Sequence, residues 1–179
     1  MKTEEVRMAV SKADIVEMGI TTSILTAAHK KATAMGTLRN SITRGQGNLA
    51  GFVGEHIALK YLTGSIQAGL DNSYDYDIIY EELKIDVKTK RTGYQPLTHY
   101  DCSISDHNTK QDCDVYLFTR VKNDYSVCWL LGWLDKQEYF DLADFKEKGT
   151  VDVANGWQVA SDCWNVSIED LNAMKDLRE

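Results

Sequence analysis

A chain of 179 residues, 43% hydrophobic and with a single proline, is long enough for one domain with a helical appendage and is not a disordered polymer. No apolar run approaches the roughly 18 residues needed to span a bilayer, and the start, MKTEEVRMAVSKADIV, lacks the apolar core of a secretory signal, so a cytoplasmic protein is expected. The net charge of −7 excludes indiscriminate coating of nucleic acid, but the charge is uneven: residues 1–100 hold 12 Lys+Arg against 11 Asp+Glu (+1), and residues 101–179 hold 8 against 16 (−8).

In chain order, residues 3–40 carry Val6, Val10, Ile15, Met18, Ile24 and Leu25 at a loose helical period. The stretch SITRGQGN (41–48), with two glycines, reads as a loop. It divides the chain into an N-terminal helical arm, 1–44, and a main domain, 45–179. Asn48 is a plausible N-cap for a helix reaching Thr63, with Leu49, Phe52, Val53, Ile57, Leu59 and Leu62 on its apolar face. The period then shortens to that of strands: SIQAGL, YDYDIIY, LKIDVKTK and YDCSIS, then a short helix in SDHNTKQ. Two more strands, DVYLFTRV and YSVCWLLGW, flank the turn residues Asn123 and Asp124. LDKQEYFDLADFKEKG reads as a helix stopped by Gly149, and Ser167 as the cap of a last helix. The expected architecture is α/β, a mixed central sheet flanked by helices.

Four widely spaced cysteines, with no CxxC pair, read as free thiols of a reducing compartment. A competing reading groups His99, Cys102, His107 and Cys113 as zinc ligands, although the spacing is irregular.

The segment that carries chemistry is YDYDIIYEELKIDVKTKR, residues 74–91. Leu83, Ile85 and Val87 alternate with Lys84, Asp86, Lys88 and Lys90, so Asp86 and Lys88 lie side by side on the polar face of a strand. If Glu81-Glu82 is a two-residue hairpin tip, 80 pairs with 83, 79 with 84, 78 with 85 and 77 with 86. Asp77 and Asp86 then face each other with β-carbons roughly 5 Å apart. Two carboxylates there repel unless a hard divalent cation, Mg²⁺ or Mn²⁺, lies between them. Lys88 points the same way and can reach a water or phosphate at such a site. Glu-Glu is poor chemistry for a tight turn, which favours Asn-Gly or Asp-Gly, and a solvated charged hairpin explains the alternation equally well.

An aspartate, about ten residues, then acid-x-Lys at the end of a second strand resembles the signature of the PD-(D/E)xK, or restriction-endonuclease-like, nuclease superfamily. Asp77 matches the first acid, with Asp75 as an alternative, because Tyr76 stands where the named motif has proline. Asp86 matches the second acid and Lys88 the lysine. GNLAGFVGEHIALKYL resembles the superfamily's first core helix, with Glu55 as its site-facing glutamate. The resemblance covers residues 45–131. It implies a restriction-endonuclease-like fold and a Mg²⁺- or Mn²⁺-dependent nuclease acting on DNA. It also implies Asp77, Asp86, Glu55 and the carbonyl of Val87 as metal ligands, and Lys88 beside the attacked phosphate. Arg44, Lys84, Lys90 and Arg91, from the basic half, are the candidate phosphate contacts, while His107 and Lys110 fall where members sometimes place accessory residues. Two alternatives remain: a branched-DNA (Holliday junction) resolvase, which would act as a symmetric homodimer, and a non-catalytic nucleic-acid-binding module that keeps the fold.

Overall fold

The computed structural model describes residues 8–35, 46–66, 74–153 and 156–178. Arg44, most of the expected interdomain loop and most of the expected strand SIQAGL lie outside the described residues.

Alternation within two apolar runs builds the centre of the molecule. In β5 (Val115–Lys122), Val115 and Leu117 are buried on one side of the sheet and Tyr116 and Phe118 on the other. In β6 (Val127–Asp135), Cys128 and Leu130 oppose Trp129 and Leu131. Strands apolar on both faces belong mid-sheet. With β1 (Val16–Gly19), β2 (Ile78–Tyr80) and β3 (Leu83–Thr92) they form a five-stranded sheet in the order β1-β6-β5-β3-β2. It is mixed: β3 and β5 run parallel and the other pairs antiparallel. Against one face pack α1 (Thr22–Met35) and α2 (Gln46–Thr63), whose Ile24, Ala28, Val53, Ile57 and Leu59 share a core with Ile85, Val87, Val115 and Leu130. Among the described residues no helix is long and apolar enough to cross a membrane.

Four expectations need correcting. Residues 3–40 are not helical throughout. Val16 and Met18 are half-buried while Glu17 and Gly19 are exposed, a period of two, and this strand hydrogen-bonds to the edge of β6. The stretch before residue 44 therefore contributes to the main sheet as well as a helix. Second, helix is the smaller part of the cover on the face away from α1 and α2, where Tyr139 and Phe140 of one short helix pack. The second face is covered by a small sheet, β4-β8-β7, of β4 (Asp101–Ser105), β7 (Asp144–Lys146) and β8 (Cys163–Ser167). Its Cys102, Ile104 and Val166 join Tyr116, Phe118 and Trp129 in a second core. Third, the helix expected over 134–149 is only α3 (Lys136–Leu142). Beyond it Phe145 pairs with Trp164 across β7 and β8, their rings 5.1 Å apart, and the chain turns extended. Fourth, Ser167 ends β8 rather than capping an α-helix. The residues that follow form 3₁₀ turns, Ile168–Asp170 and Met174–Leu177. The buried residues there, Ile168, Leu171, Met174 and Leu177, recur every third position, which suits three residues per turn better than 3.6.

Candidate active site

The β2–β3 hairpin turns on Glu81 (φ 47°) and Glu82 (φ 70°), both left-handed, as a two-residue primed turn requires. Its register is the constant-sum one: Ile78 with Ile85, Ile79 with Lys84, Tyr80 with Leu83. The strand β2 stops there, and its shortness makes the site. The Asp77 N–H still donates to the Ile85 carbonyl (2.9 Å), but beyond it no β2 backbone remains to pair with β3. The Val87 N–H donates instead to the Asp77 carboxylate, Oδ2, at 2.8 Å. A strand residue's carbonyl points to the same side as its amide, so the Val87 carbonyl also faces this open edge.

Asp86 and Lys88 lie on the face opposite Ile85 and Val87, as the alternation requires. Lys88 Nζ stands 2.6 Å from Asp86 Oδ2, an ion pair without hydrogen-bond geometry, so the buried Oδ2 has no hydrogen-bond partner. Glu55 arrives from the other side. α2 lies so close on β3 that a Cβ at Gly54 would stand 2.1 Å from Thr89 Oγ1. The next residue, Glu55, is thereby held against the sheet edge, 7% exposed. Three carboxyls from a helix, a pre-strand turn and a strand thus meet at one edge. Burial pushes the Asp77 carboxyl up to about 8, and the charges of Glu55 and Asp86 add to the effect. Burial raises Glu55 and Asp86 as well, against the lowering influence of Lys31 on one and Lys88 on the other. The contact between Glu55 and Asp77 raises Asp77 further and lowers Glu55.

Asp75 is not part of this group. Its Oδ1 accepts the Asp112 N–H at 3.1 Å in the loop before β5. Lys84 is on the Asp86 face but is spent on Asp112, 2.9 Å away. Lys90 continues the row beyond Lys88 and donates to Ser103 Oγ (2.8 Å). Arg91 lies on the opposite face, exposed and stacked on Tyr125. His107 and Lys110 are exposed, and only the His107 backbone carbonyl is used, by the Tyr74 hydroxyl.

Two residues near the carboxyls were not read as part of the site from the sequence, Lys31 counting there only as one cation of the basic half. Gln111, 5% exposed, donates through Nε2 to Asp86 Oδ1 (3.0 Å) and to the Tyr74 carbonyl (2.7 Å), and its Oε1 accepts from Lys88 Nζ (2.9 Å). One amide therefore fixes both halves of the Asp-x-Lys pair. Lys31, from α1, reaches across to Glu55 Oε2 at 2.7 Å and over the Phe52 ring. No spacing rule would have found either, since each partner is more than twenty positions away.

Among the described residues no three acidic, histidine or cysteine side chains stand, as placed, in a geometry that holds an ion. At the hairpin edge two ammonium groups lie on the carboxylates that would do so. The donor set nonetheless fits a hard cation: three converging carboxyls, Glu55 and Asp86 buried and Asp77 half-buried, all raised chiefly by burial, and an Asp86 oxygen with no hydrogen bond. The zinc grouping fits less well. Cys102 and Cys113 are buried thiols, pushed by burial up to about 12 and about 11, while His99 and His107 are exposed. No protein-family model matches this chain, and neither does any curated protein.

Proposed function

We propose that this chain is a metal-dependent nuclease that hydrolyses phosphodiester bonds in DNA. The observation that carries the reading is the meeting of Glu55, Asp77 and Asp86 at the open edge of β3, with Lys88 on Asp86. Buried carboxyls so close raise one another's pKa and destabilise the fold, and a fold has no structural use for that cost. Asp77, Asp86, the Val87 carbonyl and Glu55 would hold Mg²⁺ or Mn²⁺, which when bound acidifies water and polarises a phosphoryl oxygen.

The chain's own residues supply the rest. Lys88 sets an ammonium beside the carboxylates, where it stabilises negative charge growing on the phosphate and orients the attacking water. Gln111 holds Lys88 in that position and keeps Asp86 an acceptor. Water's oxygen bonds to phosphorus and gives up one proton to solvent, the bond from phosphorus to one sugar oxygen breaks, and the departing alkoxide takes up one proton from solvent, so no proton is gained or lost overall. The buried second core under Asp86 and Lys88 keeps bulk water from one side of the site.

The test is incubation with supercoiled, linear, single-stranded and branched DNA, with Mg²⁺, with Mn²⁺ and with chelator. Cleavage with either metal, abolished by chelator and by Asp86→Asn, is expected. No cleavage of any substrate, or cleavage indifferent to chelator, refutes the reading.

A further inference from the structure

Lys90 follows Lys88 on the same face of β3, and the parallel register sets it beside Arg120 of β5. Like charges side by side on neighbouring strands destabilise a sheet. Among the described residues neither cation makes an ion pair. The carboxylate that faces both, Asp101, is held by Lys146 at 3.0 Å. Lys90 Nζ donates to the Ser103 hydroxyl, and an Arg120 Nη donates to the Asp101 backbone carbonyl at 2.9 Å. These bonds leave further N–H donors on both groups. Lys90 is exposed, yet the protein around it, together with Arg120, holds its pKa below the usual lysine value. Arg120 is lowered by burial too. Here the two sheets part around a cleft of about 120 Å³, whose lining includes Lys88, Lys90, Ser103, Phe118 and Arg120 and also Asp101, the residue paired with Lys146. At ~30 Å³ per water it has room for about four waters, enough for a phosphoryl group.

Two cations side by side, neither in an ion pair of its own, line this cleft and leave room there for an anion. A guanidinium fork beside an ammonium and a hydroxyl suits the several oxygens of a phosphate better than a single carboxylate. We infer that the cleft between the sheets is a phosphate subsite that takes a backbone phosphodiester of the bound strand, two β3 residues beyond Lys88. This assignment rests on the nuclease reading for the identity of the strand; the binding chemistry is independent of it. Lys88 would face the attacked phosphate and Lys90 with Arg120 a neighbouring one, which fixes how the strand runs along β3.

The test is fluorescence anisotropy of a labelled single-stranded oligonucleotide over a salt series, with the full chain in chelator so that nothing is cut. Lys90→Gln and Arg120→Gln should each weaken binding about tenfold and lower the salt slope by about one. Arg120→Lys should keep the slope and lose only part of the affinity. Melting curves identify a variant that fails to fold, and the more exposed Lys90 keeps the test decisive if Arg120→Gln does not fold. Inorganic phosphate and a nucleoside monophosphate serve as competitors. Displacement of the oligonucleotide only at concentrations far above its own Kd supports a strand phosphate, whereas a free anion bound as tightly as the oligonucleotide overturns it. A wild-type salt slope in both Gln variants overturns the subsite. Cleavage is scored separately with Mg²⁺. Lys90- and Arg120-dependent binding by a chain that never cuts would sustain the subsite and refute the nuclease reading, and cutting with unaltered slopes in both variants would do the reverse.

Discussion

Asp77→Asn tests the electrostatics of the site without relying on activity. An acid whose pKa is about 8 in the fold, against 3.8 for the free side chain, binds its proton more tightly when folded. Its contribution to stability is therefore complete below about pH 4 and drains away as pH rises towards about 8, at up to about 1.4 kcal/mol per pH unit. A difference of about four units sets a ceiling of roughly 5 to 6 kcal/mol. Asp77 is only half-buried, and solvent screening reduces the ceiling to a few kcal/mol. Asparagine keeps the shape: its carbonyl can accept the Val87 N–H and its amide can donate to Glu55, and it carries no charge at any pH. In chelator the variant should match wild type below about pH 4 and exceed it near pH 8 by about 2 kcal/mol or more, some 4–8 °C in Tm for a chain of this size. Mg²⁺ should recover much of that difference for wild type by binding the native site, and little for the variant. Urea melts across this pH range, with and without Mg²⁺, provide the measurement. Parallel pH profiles for the two proteins in chelator would refute the argument that Asp77 sits against uncompensated negative charge.

Other outcomes follow from the same geometry. Lys88→Ala leaves the buried apolar face of β3, Ile85 and Val87, untouched but strips buried Asp86 of its cation, so it should fold with reduced stability at neutral pH, and it should lower single-turnover cleavage at saturating DNA by about a hundredfold or more, the scale of losing one electrostatic contact to the transition state; exposed Lys148 is the control. Gln111→Leu removes a donor from Asp86 that now lowers its pKa, so the acid limb of the pH–rate profile should move to higher pH, at a cost in stability of about 1–3 kcal/mol for the groups left unpaired. Gly54→Ala puts a Cβ where Thr89 and Thr119 stand, and pushing α2 off β3 should cost about 1–3 kcal/mol in urea melts and displace Glu55, with cleavage lost out of proportion to stability.

How much of this was legible in the sequence depends on whether the signal was local. The hairpin was legible because its alternation and the spacing of Asp77 from Asp86 lie within one short segment. Only the turn argued against it, and there the pairing of the flanking strands overrides the poor turn preference of Glu81 and Glu82. The helix α2 and strands β5 and β6 were legible from their apolar periods. The strand Val16–Gly19 was not, because four residues at a sheet edge give too little alternation to outweigh a surrounding helical period. The 3₁₀ run was written in the threefold recurrence of Ile168, Leu171, Met174 and Leu177, which a search for 3.6 reads as a helix. The small sheet was hidden because β7 and β8 lie far apart in sequence and each is too short to announce itself.

The site divides along the same line. Asp77, Asp86 and Lys88 are placed by one hairpin, and their spacing alone implies convergence. Gln111 and Lys31 act through tertiary return of the chain, a loop folding back on β3 and α1 crossing α2, and their own neighbourhoods carry no sign of it. Both contacts serve the same end. Each places hydrogen-bonding or positive groups on carboxyls that burial would otherwise protonate. The site is thus a balance between three acids and two ammoniums, one positive charge short of neutral when all three acids are ionised. Asp77, pushed up to about 8 by burial and by the charges of Glu55 and Asp86, is the group at which a cation bound at this edge would be most directly read.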